Sequence, residues 1–541
     1  MRVDPRSLPA QAVALRIGIA LTLLFLSTAG GRITASDEYT MYRLTESLVT
    51  RGKVWVEAGN AEPGPDGRLY PKAGIGQALA AAPFYALGRA AALPFAPAKR
   101  ELVMRAVTSL LNAFAGGALA AILFLVFLEV GAAPKGALFW TLATCLATPL
   151  WVYAKSFLTE PLLALGLVSG LYGALRFRAG GAPRHALLCG LAWGGTVLVK
   201  YAMAPAVLLL ALPFLPALKR TKAALPGVLA VLLCVALALA YNLARTGMPL
   251  GSGYGRQATV AAFSTPLFVG LYGLLLSSGK GILWFAPLVA LAPIAAPAAV
   301  RRLGWVAWGL IAALGVMLLV YATFEHWAGD GAWGPRYLVP LVPLAFILIA
   351  AGHAQEPWGG RGRRLVVGAL AVCGLLVTLG GVAVYFGAQM REAGDYPYTR
   401  ALDDPSFMAE SHFNPWRSPI AAHWRMARRN TELFITGRSP RLTPQETAVR
   451  PNVELEAAPA RGISSVEGER LAVPAGEVQG LTRALDFWWA YAIAAGVPRL
   501  PALLTALFLL LAGVLEGWRA WLGVKRLGIQ HLPQVPDSWM A

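Results

Sequence analysis

The sequence predicts an all-α polytopic membrane protein with about twelve transmembrane helices and a long first extracytoplasmic loop carrying interfacial helices. Three observations carry that prediction. Of 541 residues, 57% are hydrophobic and only 14% charged, with a mean hydropathy of +0.57; soluble globular proteins carry roughly 25% charged residues. Apolar runs close to the ~20 residues that cross hydrocarbon recur along the chain. Short Lys/Arg clusters punctuate those runs, the pattern by which membrane proteins set their orientation.

The runs lie near 11–30, 104–129, 136–154, 160–177, 185–199, 202–217, 224–244, 281–299, 304–323, 337–353, 365–388 and 498–518. Arg2 and Arg6 precede the first, which resembles a signal peptide, but Arg16 interrupts it and no A-x-A-like cleavage site follows, so it reads as a retained span. With the N-terminus cytoplasmic, five basic clusters fall on the inner side: Arg176–Arg184, Lys219–Lys222, Arg301–Arg302, Arg361–Arg364 and Arg519–Arg526. Residues 74–94 are apolar enough to compete as a span, but counting them would put all five clusters outside. They read as a helix lying at the outer interface.

Four substantial segments then fall on the outer face: 32–103, 245–280, 324–336 and 389–497. The expected organisation is a catalytic membrane domain over 1–390, an extracytoplasmic loop or small domain over 391–497, and a final span with a cytoplasmic tail over 498–541. The formal charge of +19 sits in the interspan clusters, which argues against nucleic-acid binding. Cys145, Cys189, Cys234 and Cys373 lie scattered inside apolar runs, without the spacing of a metal site or a disulfide framework.

Chemistry-bearing residues gather in the outer segments. Asp37-Glu38 follows the first span; paired carboxylates repel, which raises at least one pKa and suits a general base, while Ser36 ahead of two acids equally suits a helix start. Asp66-Gly67 signals a hairpin turn, near Arg43, Arg68 and Lys72, cations at a depth to meet a lipid phosphate or ordinary head groups. Glu160, after Thr159 and before Pro161, is either an intramembrane functional acid or a helix-start residue. Lys200 lies between the fifth and sixth spans, where an interfacial lysine can simply snorkel. Ser277–Gly281, containing Lys280, and Phe324–Tyr337, containing Arg336, are Gly-rich turns ahead of spans. Such turns expose backbone N–H groups, and an arginine there can hold a phosphate through its planar fork; aromatic residues lining the interface would look similar.

In their order, these stretches resemble the C-type glycosyltransferases, a superfamily that includes protein O-mannosyltransferases and lipid A aminoarabinose transferases. The matching features are Asp37-Glu38, Tyr70-Pro71-Lys72-Ala73-Gly74 running into Pro83-Phe84-Tyr85, Thr159-Glu160-Pro161-Leu162, Leu198-Val199-Lys200, Ser278–Leu283 and Trp333–Pro340. The resemblance spans residues 10 to 390. It implies a sugar donor on a polyprenyl phosphate, transferred with inversion to a lipid, glycan or protein acceptor at the outer face of a bacterial plasma membrane. By the same resemblance Asp37 is the base, with Glu38 or Glu160 orienting it or binding a divalent metal. Lys72, Lys200, Lys280, Arg336 and Tyr337 would bind substrate, with Arg336, Lys200 and Lys280 on the donor phosphate. No acceptor motif of the oligosaccharyltransferase type appears in the tail. The rival reading is a transporter or flippase for a lipid-linked or anionic substrate. Transporters show repeated halves with charges near the midplane, and this chain shows neither.

Overall fold

In hydrocarbon every backbone polar group needs an internal partner, so apolar runs of this length fold as helices. The computed structural model describes residues 4, 7–33, 35–219, 221–329, 332–353, 360–389, 409–439 and 482–529. Among them, nine helices are long and apolar enough to cross a membrane: Leu8–Thr28, Lys99–Glu129, Glu160–Gly180, Tyr201–Lys219, Lys222–Thr246, Trp305–Thr323, Arg336–His353, Arg361–Ala383 and Arg499–Gly528. The chain is thus an all-α integral membrane protein. The other three expected spans are also helical but shorter or broken. Pro134–Leu146 is followed by Leu150–Ala154, and Pro183–Val199 has 17 residues. The third breaks into Ile282–Phe285, a 3-10 stretch and Ala292–Leu303, where Pro287 and Pro293 interrupt the ladder.

Small residues let the helices approach closely, as membrane packing requires. A Cβ on Gly117 would lie 1.9 Å from Thr22 Oγ1, and one on Gly190 would lie 2.1 Å from the Gly227 carbonyl oxygen. The last helix packs along the first, where Arg16 meets Glu516 at 3.1 Å.

The first interspan loop is a folded unit with its own apolar core, including Tyr42 and Tyr85. It comprises the helix Ser36–Arg51, a hairpin of Ala61–Pro63 with Leu69–Pro71, and the helix Gly76–Ala92. The expected hairpin turns at Gly67, whose φ of +75° suits glycine. Gly76–Ala92 packs on its neighbours in the loop and is not one of the nine spans.

The two ends of the bundle differ. At one end Arg176 reaches Glu129 at 3.7 Å, Arg302 Nε donates to the Val130 carbonyl at 2.7 Å and Arg363 meets His353 at 2.8 Å. At the other end, six interspan connections converge on one cavity. Of the expected 391–497 unit, the described parts are 409–439 and 482–497, including the helix Pro419–Ile435. Residues 391–408 and 440–481 lie outside the described residues, as do the tail beyond 529, Arg220, Asp330, Gly331 and the basic pair Arg2 and Arg6.

Candidate functional site

The cavity has a volume of about 360 Å³ and lies under the first-loop unit. Three of its walls are held by buried polar struts. Gln77 and Asn112 donate to carbonyls of the Ser156–Leu158 turn, Nε2 to Phe157 at 2.5 Å and Nδ2 to Ser156 at 2.8 Å. Arg245 Nη1 donates to the carbonyls of Pro71, Lys72 and Ala73 at 3.2, 2.7 and 3.1 Å. The Ala332–Trp333 turn is held from two sides, by Tyr153 Oη on the Trp333 carbonyl at 2.9 Å and by Lys280 Nζ on the Ala332 carbonyl at 2.7 Å. That turn delivers Arg336. Gly329, at φ +66°, lets the chain pass where a Cβ would come within 2.9 Å of the Arg336 Cβ.

Arg336 joins two carboxylates separated by 123 positions in sequence. Its Nη2 lies 2.9 Å from Asp37 Oδ2 and its Nε donates to Glu160 Oε1 at 2.8 Å. Asn60 Nδ2 donates to Asp37 Oδ1 at 3.5 Å. Partial burial pushes the Asp37 carboxyl up, but the neighbouring Arg336, its hydrogen bond and Lys200 together hold it below the usual value, so it is ionised at neutral pH. The side chain keeps 47% of its surface accessible, and it lines the cavity.

Lys200 stands beside this cluster. Its Nζ lies 4.5 Å from the centre of the Tyr337 ring and 5.9 Å from that of Tyr321, and those rings stack at 4.7 Å. No acceptor among the described residues receives a hydrogen bond from it. Burial lowers its pKa to about 8, opposed by Glu160 and reinforced by Arg336.

Of the eight residues expected at the site, Asp37, Glu38, Lys72, Lys200, Arg336 and Tyr337 line one cavity. Glu38 also ties two elements together: its oxygens accept from the N–H groups of Ala35 at 3.1 Å and Phe157 at 2.7 Å. Lys72 pairs with Glu62 at 3.1 Å. Glu160 is fully buried and sits behind Arg336, outside the lining, with Oε2 unpartnered among the described residues. Lys280 is also outside the lining. Its loop is a socket, since the Gly279 N–H donates to the His412 carbonyl at 2.9 Å and a Cβ there would strike His412.

Asn60, Tyr254, Gln257, Tyr321, His326 and Tyr385 line the same cavity without having been singled out. Tyr321 carried a usable signal, a polar group near the end of an apolar run. Tyr254 and Gln257 lie in a connection with no motif. Among the described residues no group of three His, Cys, Asp or Glu side chains comes together, and Asp37 and Glu160 both hold Arg336.

A second ionic cluster lies close by. Asp486 accepts from Arg32 Nε and Nη2 at 2.8 and 2.5 Å, pairs with Lys155 at 2.9 Å and accepts from Tyr491 Oη at 2.8 Å. Despite burial, Arg32 and Lys155 hold its carboxyl well below the usual range. None of the three was expected from the sequence.

Fold and site together define a polytopic α-helical membrane protein with a partly open, ion-lined cavity at one end. No family model and no curated protein matches the sequence. Solved structures similar to this chain include two of ArnT. ArnT from Cupriavidus metallidurans bound to undecaprenyl phosphate has 15% identity over 94% of this chain and 78% of that one, with a TM-score of 0.46. The apo state of ArnT from the same organism has 15% identity over 94% and 77%, with a TM-score of 0.47.

Proposed function

We propose that this protein is a membrane glycosyltransferase that moves a sugar from a polyprenyl-phosphate-linked donor to a lipid, glycan or protein acceptor at the extracytoplasmic face. One observation carries the reading: an ionised carboxylate, Asp37, shares a cavity with two cations able to receive a phosphate. A base and an anion clamp are the two devices this transfer requires. The aromatic rings around them, Tyr321, Tyr337 and Tyr254, suit the apolar faces of a sugar.

In the reaction, Asp37 takes the proton from an acceptor hydroxyl or amine. The acceptor's lone pair attacks the anomeric carbon, and the bond from that carbon to the phosphate oxygen breaks, with inversion. The lipid phosphate leaves with the bonding electrons, and Lys200 and Arg336 stabilise the charge it gains. Arg336 has a further consequence. While it holds Asp37, the carboxylate is a weak base; a phosphate that draws the guanidinium away would raise the basicity of Asp37 when the donor binds. Glu160 keeps Arg336 in register from behind. Lys72, at the hairpin, meets the donor or the acceptor.

The test uses wild-type protein and Asp37→Asn, purified in detergent and given radiolabelled polyprenyl-phosphate sugars. Transfer or slow hydrolysis by wild type, reduced at least about a hundredfold in the folded variant, is expected. Tight donor binding without cleavage, even with a panel of acceptors, would sink the enzyme and favour a flippase.

A further inference from the structure

The helix Pro419–Ile435 buries one side against the end of the span Arg361–Ala383 and presents the other outward. Its inner side carries Ala422, His423, Met426, Ala427 and Asn430, all buried. Its outer side carries Ala421, Trp424, Arg425, Arg428 and Ile435, all exposed and at helical spacing.

Two contacts set its depth. The Trp424 indole lies against Gly380, in the last turn of a span whose Leu365, Val372 and Leu376 are exposed to the surroundings. At the other end, Arg499, the first residue of the final span, places its guanidinium 4.7 Å from the centre of the Phe434 ring. The helix therefore bridges the points where two spans reach the surface, the level of lipid head groups, where tryptophan is enriched.

Residues 409–439 contain five arginines against two glutamates. Three of the arginines are occupied: Arg417 with Glu410 at 3.4 Å, Arg429 with the Thr482 carbonyl at 2.7 Å, and Arg438 with Glu432 at 3.9 Å. Arg425 and Arg428 have no hydrogen bond or ion pair among the described residues. They stand one turn apart on the face that carries Trp424, and Trp416 is 89% exposed on the segment leading in. Unpaired guanidiniums flanked by tryptophan at head-group depth match an anionic lipid phosphate in charge and geometry.

We infer that the outer face of Pro419–Ile435 is a docking surface for the anionic phospholipids of the leaflet on the cavity side. It fastens the region after the Arg361–Ala383 span to the membrane and does not depend on the activity proposed above.

The full chain is placed in nanodiscs of phosphatidylcholine with about one part in three phosphatidylglycerol, with a photoreactive benzophenone side chain replacing Ala421. Crosslinks to phosphatidylglycerol should exceed its share of the lipid by about fivefold. The enrichment should vanish in the double variant Arg425→Gln with Arg428→Gln and persist in Arg438→Gln, which loses the same kind of charge off that face. Crosslinks matching bulk lipid composition, enrichment that survives the double variant, or crosslinks made chiefly to residues 440–481 of the chain itself would each overturn the assignment.

Discussion

Two ionic clusters sit near each other in this protein, built from the same residue types and put to opposite uses. Around Asp486, every carboxylate oxygen is taken: Arg32, Lys155 and Tyr491 fill them, and the three charged side chains are at most 8% exposed. The cluster joins the end of the first span, the turn before Glu160 and the returning tail. The Trp488 N–H donates to the Ala29 carbonyl at 2.7 Å and the Asp486 N–H to the Ala383 carbonyl at 3.0 Å. Around Arg336 the bonding is incomplete: among the described residues Lys200 has no acceptor and Glu160 Oε2 no partner, and Asp37 faces open volume. A closed cluster has nothing left to offer a ligand; an open one does. Tyr385 links the two, lining the cavity while the Arg32 guanidinium lies 4.2 Å from its ring centre.

The comparison predicts that substitutions in the open cluster change activity and that those in the closed one change stability. Asp37→Asn should lower turnover by about a hundred- to ten-thousandfold with little change in melting temperature, measured in one detergent preparation. Asp486→Asn leaves two buried cations without their partner, and should cost about 3–5 kcal/mol of stability, read by thermal unfolding. If it left the melting temperature unchanged while abolishing activity, the contrast would fail.

Arg336→Lys keeps the charge but loses the fork that spans two carboxylates, and should weaken donor binding by about tenfold or more, measured by titration of labelled donor. Lys200 supplies the pH dependence. Its pKa lies near 8, below the ordinary 10.5, so the ammonium is present below about 8 and is lost above it. Donor affinity should fall as pH rises through 8, and the fall should be absent in Lys200→Met. For stability the sign is reversed: burial disfavours the charged form, so stability from this group rises between about 8 and 10.5. The smallest effect belongs to the partly exposed Lys72–Glu62 pair, where Glu62→Gln should change stability by less than about 1 kcal/mol.

The site was legible in part. Asp37, Lys200 and Arg336 stood out because charged residues at span ends are costly and few, and they do share a cavity. Lys280 carried the same local signal, yet its ammonium holds the Ala332 carbonyl. A Gly-rich turn reads alike whether it receives a phosphate or a neighbouring turn. Glu38 looked like Asp37 but points toward backbone N–H groups, because successive residues on a helix face different directions. The Arg32–Lys155–Asp486 cluster had no signal at all, its members lying in the first loop, a span end and the far tail.

By itself the sequence determined the solvent, the helical class and nearly every span, because hydrocarbon imposes a local rule: about twenty apolar residues, internally bonded. It also pointed to a turn at Asp66-Gly67 and an apolar helix near 74–94 in the first loop. Tertiary structure decided which charges meet. Arg336 reaches Asp37 and Glu160 only because close helix packing brings three connections together, and a charge's role depends on which of its bonds the fold leaves open.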